Sequence, residues 1–262
     1  MQKYEELAER YLALLRRTLT RMDLGDEGTR PFAPAQTGNV GRQWSPADPY
    51  KRRKGRDWPR HAETMVGLER LGLVHGLLNM TRDAGIPGDW AECGVWRGGV
   101  SIYAAAWALV YHEPMHVYCF DSFEGLPEGG RYKQDEGDPH HTQNDIFAVG
   151  SAEVMQNFVR YDIPDFAWTA VRGFFRDSLP VWREEQGEHP LRILRIDADM
   201  YEGTHDALMY LEPNVSPGGY IIIDDYGDVT ACRTAVHDYL HNTGQRVDIE
   251  EFDHTCVWWR KP

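Results

Sequence analysis

Two pairs of aspartates stand at the ends of two apolar runs. Asp197 and Asp199 close the run ILRIDAD, and Asp224 and Asp225 close YIIIDD. Each run is apolar and β-branched, then abruptly acidic, as expected of fully buried strands in a parallel sheet. Between them lie YEGTHDALMYLEP, of helix length and closed by Pro213, and then SPGG, which reads as a turn. A strand–helix–strand unit puts both carboxyl ends on the same side of the sheet. Tips of neighbouring strands are about 5 Å apart. Carboxylates crowded to that distance resist ionising together unless a cation joins them. An oxygen-only donor set selects a hard ion, Mg²⁺ before Zn²⁺. The plainer alternative is acids that cap the helices that follow, where negative charge is favoured. Asp228 fits that plainer role.

A second group sits earlier in the chain. The strand WAECG runs directly into Glu92-Cys-Gly-Val-Trp-Arg-Gly-Gly99. A glycine-rich turn between a first strand and its helix lets a ligand approach the backbone closely. The spacing is neither G-x-G-x-x-G nor that of a Walker loop. The strand-end acid Glu92 would repel a pyrophosphate and attract a cationic amino-acid moiety. The next strand, HVYCFD, ends at Asp121, where an acid accepts hydrogen bonds from ribose hydroxyls. A ligand that needs one carboxylate near an ammonium and another near a ribose fits S-adenosylmethionine better than NAD.

The elements that must position these residues follow from periodicity. Tyr4 to Met22 carries Leu7, Tyr11, Leu14, Leu15 and Leu19 at helical spacing. Asp23 to Trp58 is rich in glycine, proline and charge, which marks a functional lid or a partly disordered segment. Another helix is expected from about Arg60 to Ala84. Strands and helices then alternate, and the chain ends in two strands around RVDIE and CVWWR with no helix between them. That alternation predicts an α/β fold, a doubly wound Rossmann-like sheet with an antiparallel edge at the C-terminus. The expected organisation is residues 1–84 as N-terminal helices and lid, and 85–262 as one globular unit.

Composition limits the partners. The 262 residues are 42% hydrophobic and 12% aromatic, enough for a folded core, with a formal net charge of −13. That balance disfavours nucleic acid or an anionic membrane as the main partner. The basic run Lys51–Arg56 reads as a solvated loop. No apolar stretch is long enough to span a bilayer, and the charged N-terminus lacks the core of a secretory signal, so a cytoplasmic protein is expected. The four cysteines show no metal-ligand spacing, and Cys93 and Cys119 fall in core strands. The tandem His140-His141 could bind a metal, but exposure or substrate contact suits a loop histidine better. The leucines of the first helix make a homo-oligomer a hypothesis to test.

Taken together, ECGVWRGGVS, FDSFEGLP, RIDADMYEGT and IIIDDY resemble the macrocin O-methyltransferase family. GRDWPRHAETMVGLERL, at Gly55–Leu71, is similar to the family's segment before the fold proper. The resemblance runs from about residue 55 to the C-terminus. It implies a class I S-adenosylmethionine-dependent fold and a Mg²⁺-assisted methylation of a deoxysugar hydroxyl on an antibiotic-type small-molecule glycoside. Residue by residue, Asp197, Asp224 and Asp225 match metal ligands, and Asp199 matches the proposed general base. Glu92, Gly94, Val95, Trp96, Asp121 and Ser122 match the cofactor-contact motifs, and Thr64 and Met65 match residues of a lid over the cofactor. Gly173, Phe174 and Asp177 match, more loosely, the third strand's meeting with the adenine. The stretch from Glu128 to Gly150 is where acceptor selectivity is expected.

Three rival readings use the same residues. Asp197-Ala198-Asp199 satisfies the D-x-D pattern of a metal-dependent glycosyltransferase, which leaves no place for the Glu92 loop or for Asp224-Asp225. A metal-dependent hydrolase predicts turnover without a methyl donor. A non-enzymatic scaffold predicts cofactor affinity with no metal dependence, although four convergent acids are costly for a scaffold to keep together.

Overall fold

The two runs that end in acids pair side by side. The computed structural model describes residues 2–31, 43–128, 131–136, 140 and 143–262. Its main sheet holds β1 (Asp89–Cys93), β2 (Val117–Asp121), β3 (Trp168–Arg172), β4 (Leu191–Ile196), β5 (Val215–Ile223), β6 (Glu250–Glu251) and β7 (Val257–Arg260). The strand order is β3-β2-β1-β4-β5-β7-β6. The first five are parallel, and β7 and β6 close the edge antiparallel. Strand order therefore reverses between β1 and β4. In an open α/β sheet the crevice outside the carboxyl ends at that switch point is where ligands bind.

Helices cover both faces. On one face α1 (Gln2–Leu19), α3 (Gly67–Asp83), α4 (Gly99–Tyr111) and α6 (Ser151–Arg160) bury Leu12, Leu19, Leu71, Leu77, Trp107 and Phe158 in one apolar core. On the other, α7 (Phe175–Gln186), α8 (Tyr201–Leu211) and α9 (Thr230–Thr243) bury Leu179, Trp182, Leu208 and Val236. The central strands are buried on both faces, which is why they read as continuous apolar runs. All four cysteines are free and buried. Among the described residues no helix is long and apolar enough to cross a membrane.

Several sequence expectations needed correction. The helix expected from Arg60 starts only at Gly67. The backbone N–H groups of His61 and Ala62 donate to Asp26, and that of Glu63 donates to the Leu19 carbonyl, so this stretch is tied down as an extended strap. SPGG is no turn but the first half of β5, where pairing with β4 slips between Leu191 and Ile193. In α1 the inward residues are Ala8, Leu12, Leu15 and Leu19, whereas Leu7, Tyr11 and Leu14 are exposed.

The expected lid folds in part. Glu27–Thr29 lies between Ser45–Pro46 and Trp58–Pro59 in a small antiparallel sheet. Its residues 32–42 lie outside the described residues, as does His141. The basic run is not a plain solvated loop. It forms the short helix α2 (Pro49–Lys54), and Arg52 turns inward onto Asp57 at 2.8 Å and Asp26 at 3.0 Å.

Candidate active site

A cavity of about 290 Å³ opens over the carboxyl ends of β1, β2, β4 and β5. The turn after β1 makes one wall. Gly94 adopts φ 84°, and a Cβ there would lie 1.8 Å from the Asp197 carbonyl oxygen, so only glycine lets the two strand ends meet. Trp96 is also left-handed, at φ 50°. Its indole N–H donates to the Ile146 carbonyl at 2.8 Å, and the Arg97 guanidinium lies 4.1 Å from its ring centre. Non-glycine residues held at positive φ cost energy and cluster at functional sites.

Asp121 clasps this wall from β2. One carboxylate oxygen accepts the Val95 N–H at 2.9 Å, and the other accepts the Phe123 N–H at 2.8 Å. Burial pushes its pKa up, and these backbone donors oppose that shift. The residue that should take ribose hydroxyls thus also shapes the two turns around the ligand space. Ser122 follows, donating its hydroxyl to the Gly125 carbonyl at 2.6 Å.

The opposite wall carries the four aspartates, all of which line the cavity. Asp197 and Asp224 extend the paired ends Ile196 and Ile223 of β4 and β5. Asp197, Asp224 and Asp225 each offer an oxygen within 4.8 Å of the others. Burial first, then Asp224, pushes Asp197 up to about 6, against the pull of Arg195. Burial, then Asp199, Asp197 and Asp224, pushes Asp225 well above the usual carboxylate range. Asp199 stands at φ 54°, with its backbone N–H donated to Asp225 Oδ2 at 3.0 Å.

Two buried arginines serve this cluster, and neither was foreseen. Arg195 Nη2 lies 2.8 Å from Asp197 and 2.5 Å from Asp224, while its Nη1 meets Glu92 at 2.5 Å. Arg70, from α3, meets Asp224 at 2.5 Å and Asp253 at 2.9 Å. Each guanidinium is shared with a further acid, Arg195 with Glu92 and Arg70 with Asp253, so two cations face six carboxylates and negative charge stays in excess. Three oxygen donors within one ion's reach, crowded enough to hold protons, fit a hard divalent cation.

The remaining expected residues divide. Met65 and Phe174 line the cavity with Gly94, Trp96, Asp121 and Ser122. Glu92 does not. It lies behind the wall with its carboxylate on Arg195 and on the Ser101 hydroxyl, and burial pushes it up to about 7. The ammonium-attracting role read for it meets a guanidinium already in place. Thr64 is buried behind the cavity lining, its hydroxyl accepting the Val66 N–H at 3.3 Å. Val95 is buried and offers its backbone. Gly173 and Asp177 line a separate groove beside Thr169 and Trp182, with the exposed Asp177 carboxylate turned to Arg176.

Sequence reasoning also missed an aromatic wall. Trp58, His140 and Phe147, the last residue of the short helix α5 (Asn144–Phe147), all line the cavity. The Trp58 and Phe147 rings meet edge to face at 5.1 Å, and His140 stacks on Phe147 at 6.2 Å. The tandem histidine was the only signal for His140, and it is buried at the cavity, not exposed.

Known proteins share this architecture. The tetracenomycin-pathway enzyme of Streptomyces olivaceus named 8-demethyl-8-(2,3-dimethoxy-alpha-L-rhamnosyl)-tetracenomycin-C 4'-O-methyltransferase is 40% identical over 98% of this chain and 94% of its own. Demethyldecarbamoylnovobiocin O-methyltransferase of Streptomyces niveus is 35% identical over 89% of each chain. The solved structure of the O-methyltransferase NovP superposes with a TM-score of 0.85 at 31% identity, covering 97% of this chain and 99% of that one. The fold is that of class I S-adenosylmethionine-dependent methyltransferases, which removes the glycosyltransferase reading of the D-x-D triplet. The match to the macrocin-O-methyltransferase (TylF) description runs over residues 8–261, so the chain belongs to the macrocin O-methyltransferase family.

Proposed function

We propose that this enzyme is a Mg²⁺-dependent S-adenosylmethionine O-methyltransferase acting on a hydroxyl of a deoxysugar attached to an antibiotic-type aglycone. The observation that carries this reading is the single cavity in which the Gly94–Asp121 wall faces Asp197, Asp199, Asp224 and Asp225. One half suits a nucleoside-bearing methyl donor and the other suits a weakly acidic hydroxyl. The relatives in the tetracenomycin and novobiocin pathways support a glycoside acceptor.

S-Adenosylmethionine, when bound, supplies an electrophilic sulfonium methyl group. A divalent cation held by Asp197, Asp224 and Asp225 supplies Lewis acidity that makes a sugar hydroxyl easier to deprotonate. The chain's own residues do the rest. Asp199 accepts the hydroxyl proton. Asp121 and the Gly94–Trp96 turn hold the donor, with ribose hydroxyls as the ligands of Asp121. Met65 and Trp58 close the cavity from the N-terminal strap and exclude water. Holding donor and hydroxyl side by side supplies much of the rate enhancement.

The test is turnover with S-adenosylmethionine against a panel of demethylated rhamnosyl, novobiocin-type and macrolide glycosides, with the methylated position read by NMR. Calorimetry against a nucleotide sugar runs in parallel. Methyl transfer to a sugar hydroxyl is expected. Affinity for the nucleotide sugar with none for S-adenosylmethionine would refute the proposal.

A further inference from the structure

We infer that His140 is a positioning residue for Asp199, holding its carboxylate as a proton acceptor and apart from the three aspartates proposed to bind the cation. The inference rests on the reading of Asp199 as that acceptor. His140 comes from the stretch between β2 and α6, far in sequence from β4. Its Nε2 lies 3.2 Å from Asp199 Oδ1. The ring is buried, stacked on Phe147 at an interplanar angle of 22°, and Phe147 is in turn braced by the edge of Trp58. This imidazole therefore cannot swing freely.

The pair stands at ion-pair distance, and a ring hydrogen on Nε2 would set the positive end of the imidazole against a carboxylate that can only accept. That contact restrains Asp199 at its side chain, as Asp225 restrains it at its backbone N–H. The restraint matters because Asp199 stands two residues from Asp197 and close to Asp225. An unrestrained carboxylate there would turn into the cluster as a fourth oxygen ligand and cease to face the acceptor. Small misplacements of a reacting group cost about 100-fold in rate.

The experiment compares the full-length wild type with His140→Ala, His140→Gln, Asp199→Asn and the His140→Ala/Asp199→Asn double variant. Nitrogen-15 NMR of the histidine rings needs no acceptor. It should find the His140 hydrogen on Nε2 and a signal that shifts in Asp199→Asn. A hydrogen confined to Nδ1, or a signal indifferent to Asp199→Asn, overturns the inference. In turnover with demethyldecarbamoylnovobiocin, or with whichever panel glycoside is methylated, His140→Ala should lower kcat about 10- to 100-fold. Acceptor KM and S-adenosylmethionine Kd should stay unchanged. His140→Gln, whose amide N–H falls near the position of Nε2, should regain much of the loss. In the Asp199→Asn background His140→Ala should cost nothing further. Equal losses in both backgrounds, or a change in KM alone, overturn the positioning role. Near-normal kcat in Asp199→Asn overturns the proton-acceptor reading itself, with the NMR contact left standing.

Discussion

Glu92 and Arg195 face each other as register partners on β1 and β4, both fully buried and 2.5 Å apart. The same guanidinium continues to Asp197 and Asp224. One side chain therefore joins the strand that begins the donor wall to the acids of the acceptor wall. Buried pairs of this kind are expensive to break from one side, because the partner left behind is an uncompensated charge.

Arg195→Met should accordingly destabilise the fold by about 3–5 kcal/mol. In a chain of this size that lowers Tm by roughly 5–10 °C. Adding Glu92→Gln should return part of the loss. Thermal melts of the three proteins read this directly, and a single variant melting with the wild type would show that the pair contributes nothing net.

Asp121→Ala should weaken S-adenosylmethionine binding at least about 10-fold by calorimetry, since it loses charge-assisted bonds to ribose. It should also lower Tm, because the Val95 and Phe123 N–H groups lose their acceptor. Asp121→Asn keeps one acceptor oxygen and should fall between. A cofactor Kd that does not move would remove Asp121 from the ribose.

Excess chelator should abolish turnover, and added Mg²⁺ should restore it. Mg²⁺ should also raise the Tm of the chelated wild type by mass action. Asp225→Asn, which removes the charge and one oxygen of one of the three clustered donors, should lose most of both effects. Undiminished methylation in chelator would leave the cluster without a metal role.

Glu63 gives a pH dependence away from that cluster. Its carbonyl takes the Gly99 N–H at 2.9 Å, and its carboxylate meets Arg160 at 3.1 Å. Burial pushes its pKa above the ordinary 4.5. The folded chain then binds this proton more tightly than the unfolded one, so its contribution to stability falls as pH rises past about 4.5. Glu63→Gln has no such proton to lose, and the exposed Arg160 gives up little. The variant's Tm relative to wild type should therefore climb from pH 4 toward pH 8. A difference that stays flat over that range would contradict the assignment.

The strand-end acids were legible because buried strands advertise themselves as apolar runs and end where solvent begins. The parallel run of β4 and β5, with Asp197 and Asp224 at the same end of the sheet, followed from the strand–helix–strand unit. Arg195 was not legible. It sits inside such a run, and its partner Glu92 lies 103 residues away, so only pairing in space explains a charge there. The start of α3 was misplaced for the same reason, since its strap is held by Asp26 from far upstream. His140 was visible only as one of two adjacent histidines, with no periodicity to say which way it would face.

One more contact has a practical meaning. Asp135, from the stretch after β2, accepts the N–H groups of Tyr201 and Glu202 at 2.7 and 3.0 Å, and so caps α8 from a different part of the chain. Nearby, Arg131 Nε bonds Glu202 at 2.9 Å, and its guanidinium also pairs with Asp206. The loop that should choose the acceptor is thus riveted to the helix that follows Asp199. Exchanging that loop between relatives to reprogram selectivity is therefore a two-part graft. The incoming segment must keep an acid at 135 to cap the helix, and residues 202 and 206 must be changed to match whatever it places at 131.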